Sequence, residues 1–287
     1  MNRLTNLLIE MALMEDFNEI GDLTSEAFID PSHRSAGWII AREEVVVSGQ
    51  DVAARVCASV DPLLHYQTEL PDGSLAKVGQ TVGILVGATQ SVLKAERTVL
   101  NFLQRLCGVA TTTRRFVQLV SHTTAVLLDT RKTTPGLRHL EKAAVRHGGG
   151  RNHRIGLYDA VMVKDNHLAA GLTTAEIERR IKGILKQRPD LKIEIEADRL
   201  DQVEALLPLF GVSVILLDNM TLADMRRAIV LRDTIAPHVE LEASGGVRRE
   251  TIAAIAETGV DYISVGALTH SVRSVDLGLD LVPLVDE

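Results

Sequence analysis

Between residues 130 and 156 the chain sets Arg131, Lys132, Arg138, Lys142, Arg146, Arg151 and Arg154, with His139, His147 and His153, against a single acid, Glu141. Cations at that density repel one another unless an anion or nearby carboxylates offset them, so the segment reads as an anion site rather than a solvated loop. Carboxylates stand further on. Glu194 and Glu196 alternate with Ile193 and Ile195, so on a regular strand both face one side. With Asp218 they could hold Mg²⁺ through water, since that ion takes one or two carboxylates plus substrate phosphate oxygens; equally, they could balance Lys164 and Arg131. Two small-residue turns, Ala243-Ser244-Gly245-Gly246-Val247 and Ser264-Val265-Gly266-Ala267, offer backbone N–H groups to phosphate oxygens. The run Gly148-Gly149-Gly150 lacks the spacing of a dinucleotide or nucleotide-triphosphate loop and reads as a sharp turn aiming Asn152, His153 and Arg154 inward. The histidines, His153 and His167 included, have no regular metal-ligand spacing, and no nucleophile–histidine pair is assigned.

These groups need a scaffold, and the second half of the chain supplies a rhythm. Apolar runs rich in Val, Ile and Leu fall at 125–128, 160–163, 192–195, 212–217, 239–241 and 262–265. Helical stretches at 175–186, capped by Thr173 and Thr174, and at 199–209, 221–235 and 248–258 fill most intervals. Alternating helices with continuously apolar strands imply a parallel sheet covered by helices. Asp129 and Arg131, Lys164, Glu196, Asp218, Ser244 and Gly266 all fall at or just past strand C-terminal ends, which favours a barrel whose mouth gathers them. Six strands are too few to close one, so the barrel is incomplete or hides a strand near 148–157. The first hundred residues lack this rhythm and show strands at 38–47 and 81–86. A helix at 91–106 joins the halves, with Val92, Val99, Leu103 and Leu106 on its apolar side and Arg97, Asn101 and Gln104 on its polar side. The last segment alternates Val275, Leu277, Leu279 and Leu281 with polar residues and is expected to return to the first domain. The expected division is an α/β sandwich of residues 1–108 plus 272–287 and an α/β barrel of residues 109–271.

The 287 residues, 46% apolar, suffice for two cores, and the net charge of −7 argues against a general nucleic-acid or anionic-membrane surface. Aromatics at 3% leave few platforms for stacking single-stranded bases. With neither an 18-residue apolar run nor a leader pattern in residues 1–14, the expectation is a cytoplasmic protein without a membrane partner. Cys57 and Cys107 sit among apolar neighbours and read as inert buried thiols.

Taken together, the motifs resemble a known family. Asp129-Thr130-Arg131-Lys132-Thr133-Thr134-Pro135-Gly136-Leu137-Arg138, Glu141-Lys142, Asn152-His153-Arg154, Gly156-Leu157-Tyr158-Asp159 and Val163-Lys164-Asp165-Asn166-His167 resemble the quinolinate phosphoribosyltransferases. Gly21-Asp22-Leu23-Thr24-Ser25, Glu96-Arg97-Thr98, Leu216-Leu217-Asp218-Asn219, Glu242-Ala243-Ser244-Gly245-Gly246 and Ser264-Val265-Gly266-Ala267 extend the likeness along nearly the whole chain. Cys107 departs from it, standing where serine is common.

The resemblance implies an N-terminal α/β sandwich plus an incomplete α/β barrel, working as at least a homodimer. It implies the reaction of quinolinate with phosphoribosyl pyrophosphate and Mg²⁺ to give nicotinate mononucleotide, pyrophosphate and CO₂ for NAD biosynthesis. Carried over motif by motif, Arg97, Arg131, Lys132, His153, Arg154 and Lys164 form the basic pocket for quinolinate and pyrophosphate, with Arg97 reaching across the dimer interface. Glu196 and Asp218 face the ribose and the metal, directly or through water, with the choice between Glu194 and Glu196 left open. Ser244, Gly245, Gly246, Ser264 and Gly266 surround the 5′-phosphate. Lys132, Lys164, Glu196 and Asp218 are the expected catalytic groups. Two rivals remain from the residues alone: a Schiff-base aldolase built on Lys164 and a polyanion-binding module built on the basic segment.

Overall fold

The computed structural model describes residues 3–164 and 171–284. Two compact units are present, one of Met1–Arg114, Thr133–Gly149 and Leu268–Glu287, the other of Arg115–Lys132 and Gly150–Ala267.

In chain order the first unit opens with α1 (Arg3–Phe17), α2 (Leu23–Phe28), β1 (Arg34–Ala41), β2 (Val45–Val46), α3 (Gln50–Val60), β3 (His65–Thr68), β4 (Leu75–Ala76), β5 (Thr81–Ala88) and α4 (Thr89–Val120), whose last turns belong to the second unit. It resumes with α5 (Arg138–His147) and ends with β12 (Leu277–Pro283). Its main sheet runs β12-β1-β5-β3, with antiparallel pairing throughout. The C-terminal strand β12 pairs with β1 from Ser35↔Pro283 to Ala41↔Leu277. Helix α4 extends the expected 91–106 in both directions and buries Val92, Val99, Leu103 and Leu106 on one side. Burial pushes the Cys57 and Cys107 thiols up to about 12, the behaviour of inert core residues.

Helix α5 corrects the alternative of a solvated loop. The buried face of α5 carries Glu141 and Lys142 beside Ala144 and Val145, so hydropathy does not mark it. Glu141 is sealed from solvent and fully bonded. Its Oε1 accepts from Arg105 Nη2 at 2.7 Å and Thr134 Oγ1 at 2.8 Å, and its Oε2 accepts the Thr134 N–H at 3.0 Å. Arg105 donates further to the carbonyls of Thr269 and Val272 at 2.6 and 3.0 Å.

The second unit contains β6 (Val126–Leu128), β7 (Val161–Val163), α6 (Thr174–Gln187), β8 (Ile193–Ala197), α7 (Leu200–Leu206), β9 (Val214–Asp218), α8 (Leu222–Ile235), β10 (Glu240–Ser244), α9 (Ile252–Ala256), β11 (Tyr262–Ser264) and α10 (Ala267–His270), which crosses into the first. Its six strands lie in the order β6-β11-β10-β9-β8-β7, all parallel. Strands β8, β9 and β10 are buried almost continuously, as a sheet covered on both faces requires. Thr173 caps α6 in a capping box with Glu176, and Thr221 caps α8. Among the described residues β6 and β7 end the sheet without pairing to each other, an incomplete barrel. The strand sought near 148–157 is reduced to a single parallel bridge, Leu128↔Arg151.

Candidate active site

Each barrel strand delivers a polar group at its C-terminal end, because a parallel sheet aligns all those ends on one side. Thr130, Arg131 and Lys132 follow β6, Lys164 follows β7, Glu196 lies in β8, and Asp218, Ser244 and Ser264 close β9, β10 and β11. With His153, Arg154, Gly245 and Gly246 they line one cavity of about 510 Å³. Of the expected residues, Gly266 does not line it, and Arg97 stands exposed on α4 in the first unit. Asp165, Asn166 and His167 of the basic motif lie outside the described residues.

Glu194 and Glu196 share one side of β8, as their spacing implies, but at different depths. Glu196 reaches the cavity, where its Oε2 lies 3.1 Å from Lys164 Nζ. Glu194 is buried below and meets His153 and Glu242. Of the two, Glu196 lines the cavity.

Around Asp218 the backbone is specialised. Asn219 takes a left-handed φ of +54° and donates from Nδ2 to Asp218 Oδ2 at 2.9 Å and from its backbone N–H to the Ser244 carbonyl at 2.9 Å. Gly245 and Gly246 follow with φ of +87° and +60°, and a side chain on Gly245 would overlap the Asn219 amide. Successive left-handed glycines turn backbone N–H groups toward one point, a concavity suited to phosphate oxygens.

The cationic side is crowded. Burial, and then the charge of Arg131, lower the pKa of Arg154, while Glu194 and Asp159 oppose that shift. Two guanidiniums held this close favour an anion between them.

Along the same cavity, which His153 and Glu242 both line, is a cluster that sequence reasoning missed as a unit. His153 Nε2 is 3.0 Å from Glu194 Oε2 and 3.4 Å from Glu242 Oε2, and His153 Nδ1 accepts the Arg154 N–H at 2.7 Å. Burial draws the imidazole pKa down, but the hydrogen bonds to Glu194 and Glu242 outweigh it and lift it to about 10. The Glu194 carboxyl is pushed up by burial and by the Glu242 charge, against its bond to His153. The three groups therefore hold one proton more, together, than a neutral imidazole and two carboxylates would. Their ligand atoms lie within 4.8 Å of one another, a set that can hold a metal ion. A smaller cavity of about 240 Å³, reaching Lys192 and Tyr262, lies against the same cluster. The signal for Glu242 was an acid inside an apolar strand, a rare placement unless the group is paired.

The family model described as "Quinolinate phosphoribosyl transferase, N-terminal domain" matches residues 22–107, and its C-terminal counterpart matches residues 109–280. The nicotinate-nucleotide pyrophosphorylase [carboxylating] of Mycobacterium leprae is 42% identical over 275 residues, covering 95% of each chain. A quinolinate phosphoribosyltransferase [decarboxylating] of Nicotiana tabacum is 38% identical over 286 residues, 96% of this chain and 81% of the relative. The solved nicotinate-nucleotide pyrophosphorylase of Francisella tularensis superposes with a TM-score of 0.89 at 36% identity, covering 97% of this chain and 96% of the other. By profile, sequence and fold, the chain belongs to the quinolinate phosphoribosyltransferase family.

Proposed function

We infer that this protein transfers the phosphoribosyl group of phosphoribosyl pyrophosphate to quinolinate, yielding nicotinate mononucleotide, pyrophosphate and CO₂ in de novo NAD biosynthesis. The observation that carries the reading is a single cavity in which Arg131, Lys132, Arg154 and Lys164 face Glu196 and Asp218 beside the Gly245-Gly246 turn. Two polyanions must be brought together there, and a dense set of fixed cations is what such an encounter needs.

In this reading Arg131, Lys132, Arg154 and Lys164, with His153 beside them, hold the two carboxylates of quinolinate and the pyrophosphate oxygens. Arginine forks suit both. Ser244, Gly245, Gly246 and Ser264 hold the 5′-phosphate, and Gly266, outside the cavity lining, is assigned to it by the family resemblance alone. The pyridine nitrogen attacks the ribose C1 as pyrophosphate departs with its bonding electrons, and Glu196 and Asp218 stabilise the positive character on that carbon. The ribosylated ring nitrogen is then cationic. It accepts the influence of the electron pair left on the adjacent ring carbon when that carboxylate departs as CO₂, and a proton replaces it.

The oxygen-only donors Glu196 and Asp218 fit a hard ion such as Mg²⁺, whereas the buried set with its imidazole fits it less well. When bound, Mg²⁺ would neutralise charge on the departing pyrophosphate. Lys164 is partly exposed and ion-paired with Glu196, which supports a cation rather than the neutral amine of a Schiff-base aldolase.

The proposed assembly is at least a homodimer in which Arg97 completes the partner's site. The proposed domain division keeps residues 1–108 with 272–287 apart from residues 109–271. Formation of nicotinate mononucleotide and CO₂ from quinolinate and Mg²⁺-phosphoribosyl pyrophosphate tests the activity. Nicotinate, lacking one carboxylate, should turn over poorly, and comparable rates would overturn the two-carboxylate assignment. Mixing inactive Arg97→Ala with inactive Lys164→Ala subunits tests the shared site: hybrids should recover activity, and no recovery despite demonstrated exchange would confine Arg97 to its own subunit.

A further inference from the structure

Residues 151–153 run parallel to the end of β6, and the ladder between them stops early. The Arg151 N–H donates to the Leu127 carbonyl at 2.8 Å and the Asp129 N–H to the Arg151 carbonyl at 3.2 Å, the two bonds of the Leu128↔Arg151 bridge. A parallel ladder continued by one step would send the His153 N–H to the Asp129 backbone carbonyl. It goes instead to Oδ1 of the Asp129 side chain at 2.9 Å, while Oδ2 accepts Asn152 Nδ2 at 2.6 Å. The carboxylate thus stands in for its own carbonyl. It is sealed from solvent and lines neither of the two cavities that His153 and Arg154 line.

We propose that Asp129 is a positioning residue whose buried carboxylate clamps residues 152–153 to the end of β6, so that Arg131 and Lys132 on one segment and His153 and Arg154 on the other meet quinolinate in a single arrangement. The proposal rests on the reading that this cavity binds quinolinate, and it leaves His153 in contact with that substrate. Three observations carry it. The four cations line one cavity from two separate segments, and Asp129 touches both, through its own chain to Arg131 and through the His153 N–H to Arg154. Those segments need a tie, because like charges push them apart and the charge of Arg131 bears directly on Arg154. The tie hangs on a rigid element, since β6 is held on its other side by parallel pairing to β11. A buried carboxylate is a costly way to join two strands. What it adds is an acceptor that holds the segment without imposing the spacing of a further ladder bond.

The test separates positioning from bulk stability by measuring two ligands on the full-length protein. Asp129→Asn keeps the shape and an acceptor for the His153 N–H but sets one amide against the Asn152 amide. Calorimetry should show the Kd for quinolinate raised on the order of tenfold or more, as displaced binding groups cost, and the Kd for ribose 5-phosphate, assigned to the Gly245-Gly246 turn, within about twofold of wild type. Exchanging the pair, Asp129→Asn with Asn152→Asp, again sets a donor opposite an acceptor and should return quinolinate affinity to within about threefold of wild type, as coupled neighbours do. A clamp that serves folding alone would lower the urea midpoint and leave both dissociation constants unchanged. That result would overturn the proposal, as would equal losses for the two ligands or an exchanged pair no better than the single variant. Should Asp129→Asn fail to fold, Asn152→Ala, which removes one of the two bonds, decides: quinolinate affinity should fall severalfold, and wild-type affinity would overturn the clamp. A wild-type protein that binds no quinolinate would overturn the proposed function and this role together, whereas wild-type binding with an indifferent Asp129→Asn overturns the role alone.

Discussion

Glu141 in the first unit and the Glu194–Glu242 pair in the second are all nearly sealed from solvent, yet they are bonded in opposite ways. Glu141 uses both oxygens, and its arginine partner is satisfied in turn by two carbonyls and the Thr134 hydroxyl. Glu194 and Glu242 share one imidazole and each keep an unpartnered oxygen. A complete network in a low dielectric fixes one geometry, whereas an incomplete one retains an electrostatic tension that only another demand on the site explains. The first steadies a loop through Thr134, two positions after Lys132 in sequence. The second faces a cavity.

The contrast is open to attack from both ends. Glu141→Ala should destabilise folding by about 3–5 kcal/mol, the cost of stranding Arg105 without its counter-charge, read from urea unfolding midpoints. A loss under about 1 kcal/mol would place Glu141 with the weak surface pairs instead. Lys164→Ala and Arg131→Ala should keep the wild-type midpoint and lose roughly two to three orders of magnitude in turnover, as when one preorganised contact is removed. Near-normal turnover would remove either from the machinery. Asp218→Ala should shift the Mg²⁺ dependence of the rate to higher concentration, and an unchanged titration would leave it no part in metal binding.

The smallest effect concerns pH. The unfolded imidazole titrates near 6.5 and the folded one at about 10, so the stabilisation from the His153 cluster is complete below about pH 6.5 and is lost as pH rises through about 10. The urea midpoint should therefore decline across that window. In Glu242→Gln the decline should be shallower, because one of the carboxylates that raise the imidazole pKa is gone.

Strand β9 was legible because burial on both faces leaves the unbroken apolar run of residues 214–217 closed by Asp218, whereas β8 and β10 interrupt theirs with Glu194, Glu196, Glu240 and Glu242 and showed through the strand–helix spacing instead. Helix α5 was not, since its buried face carries Glu141 and Lys142, and the burial of Glu141 is made tolerable by Arg105, 36 positions back in the chain, together with Thr134. Strand β3, His-Tyr-Gln-Thr at a sheet edge, is mostly exposed and carries no alternating signal. Alternation put Glu194 and Glu196 on one side but could not give their depth, which depends on where Lys164 and His153 arrive from other segments.

Strand β12 lies along β1 although nearly the whole chain separates them. During synthesis β1 and β5 therefore emerge and pair long before the strand that shields the outer side of β1 exists. Until then β1, most of whose residues end up buried, offers an open row of backbone donors and acceptors to any passing strand. A chain shortened before Leu277 would keep that exposure permanently. Its expected fate is edge-to-edge aggregation even where the barrel itself has folded, which makes the last strand a guard on solubility although it contributes no residue to the cavity.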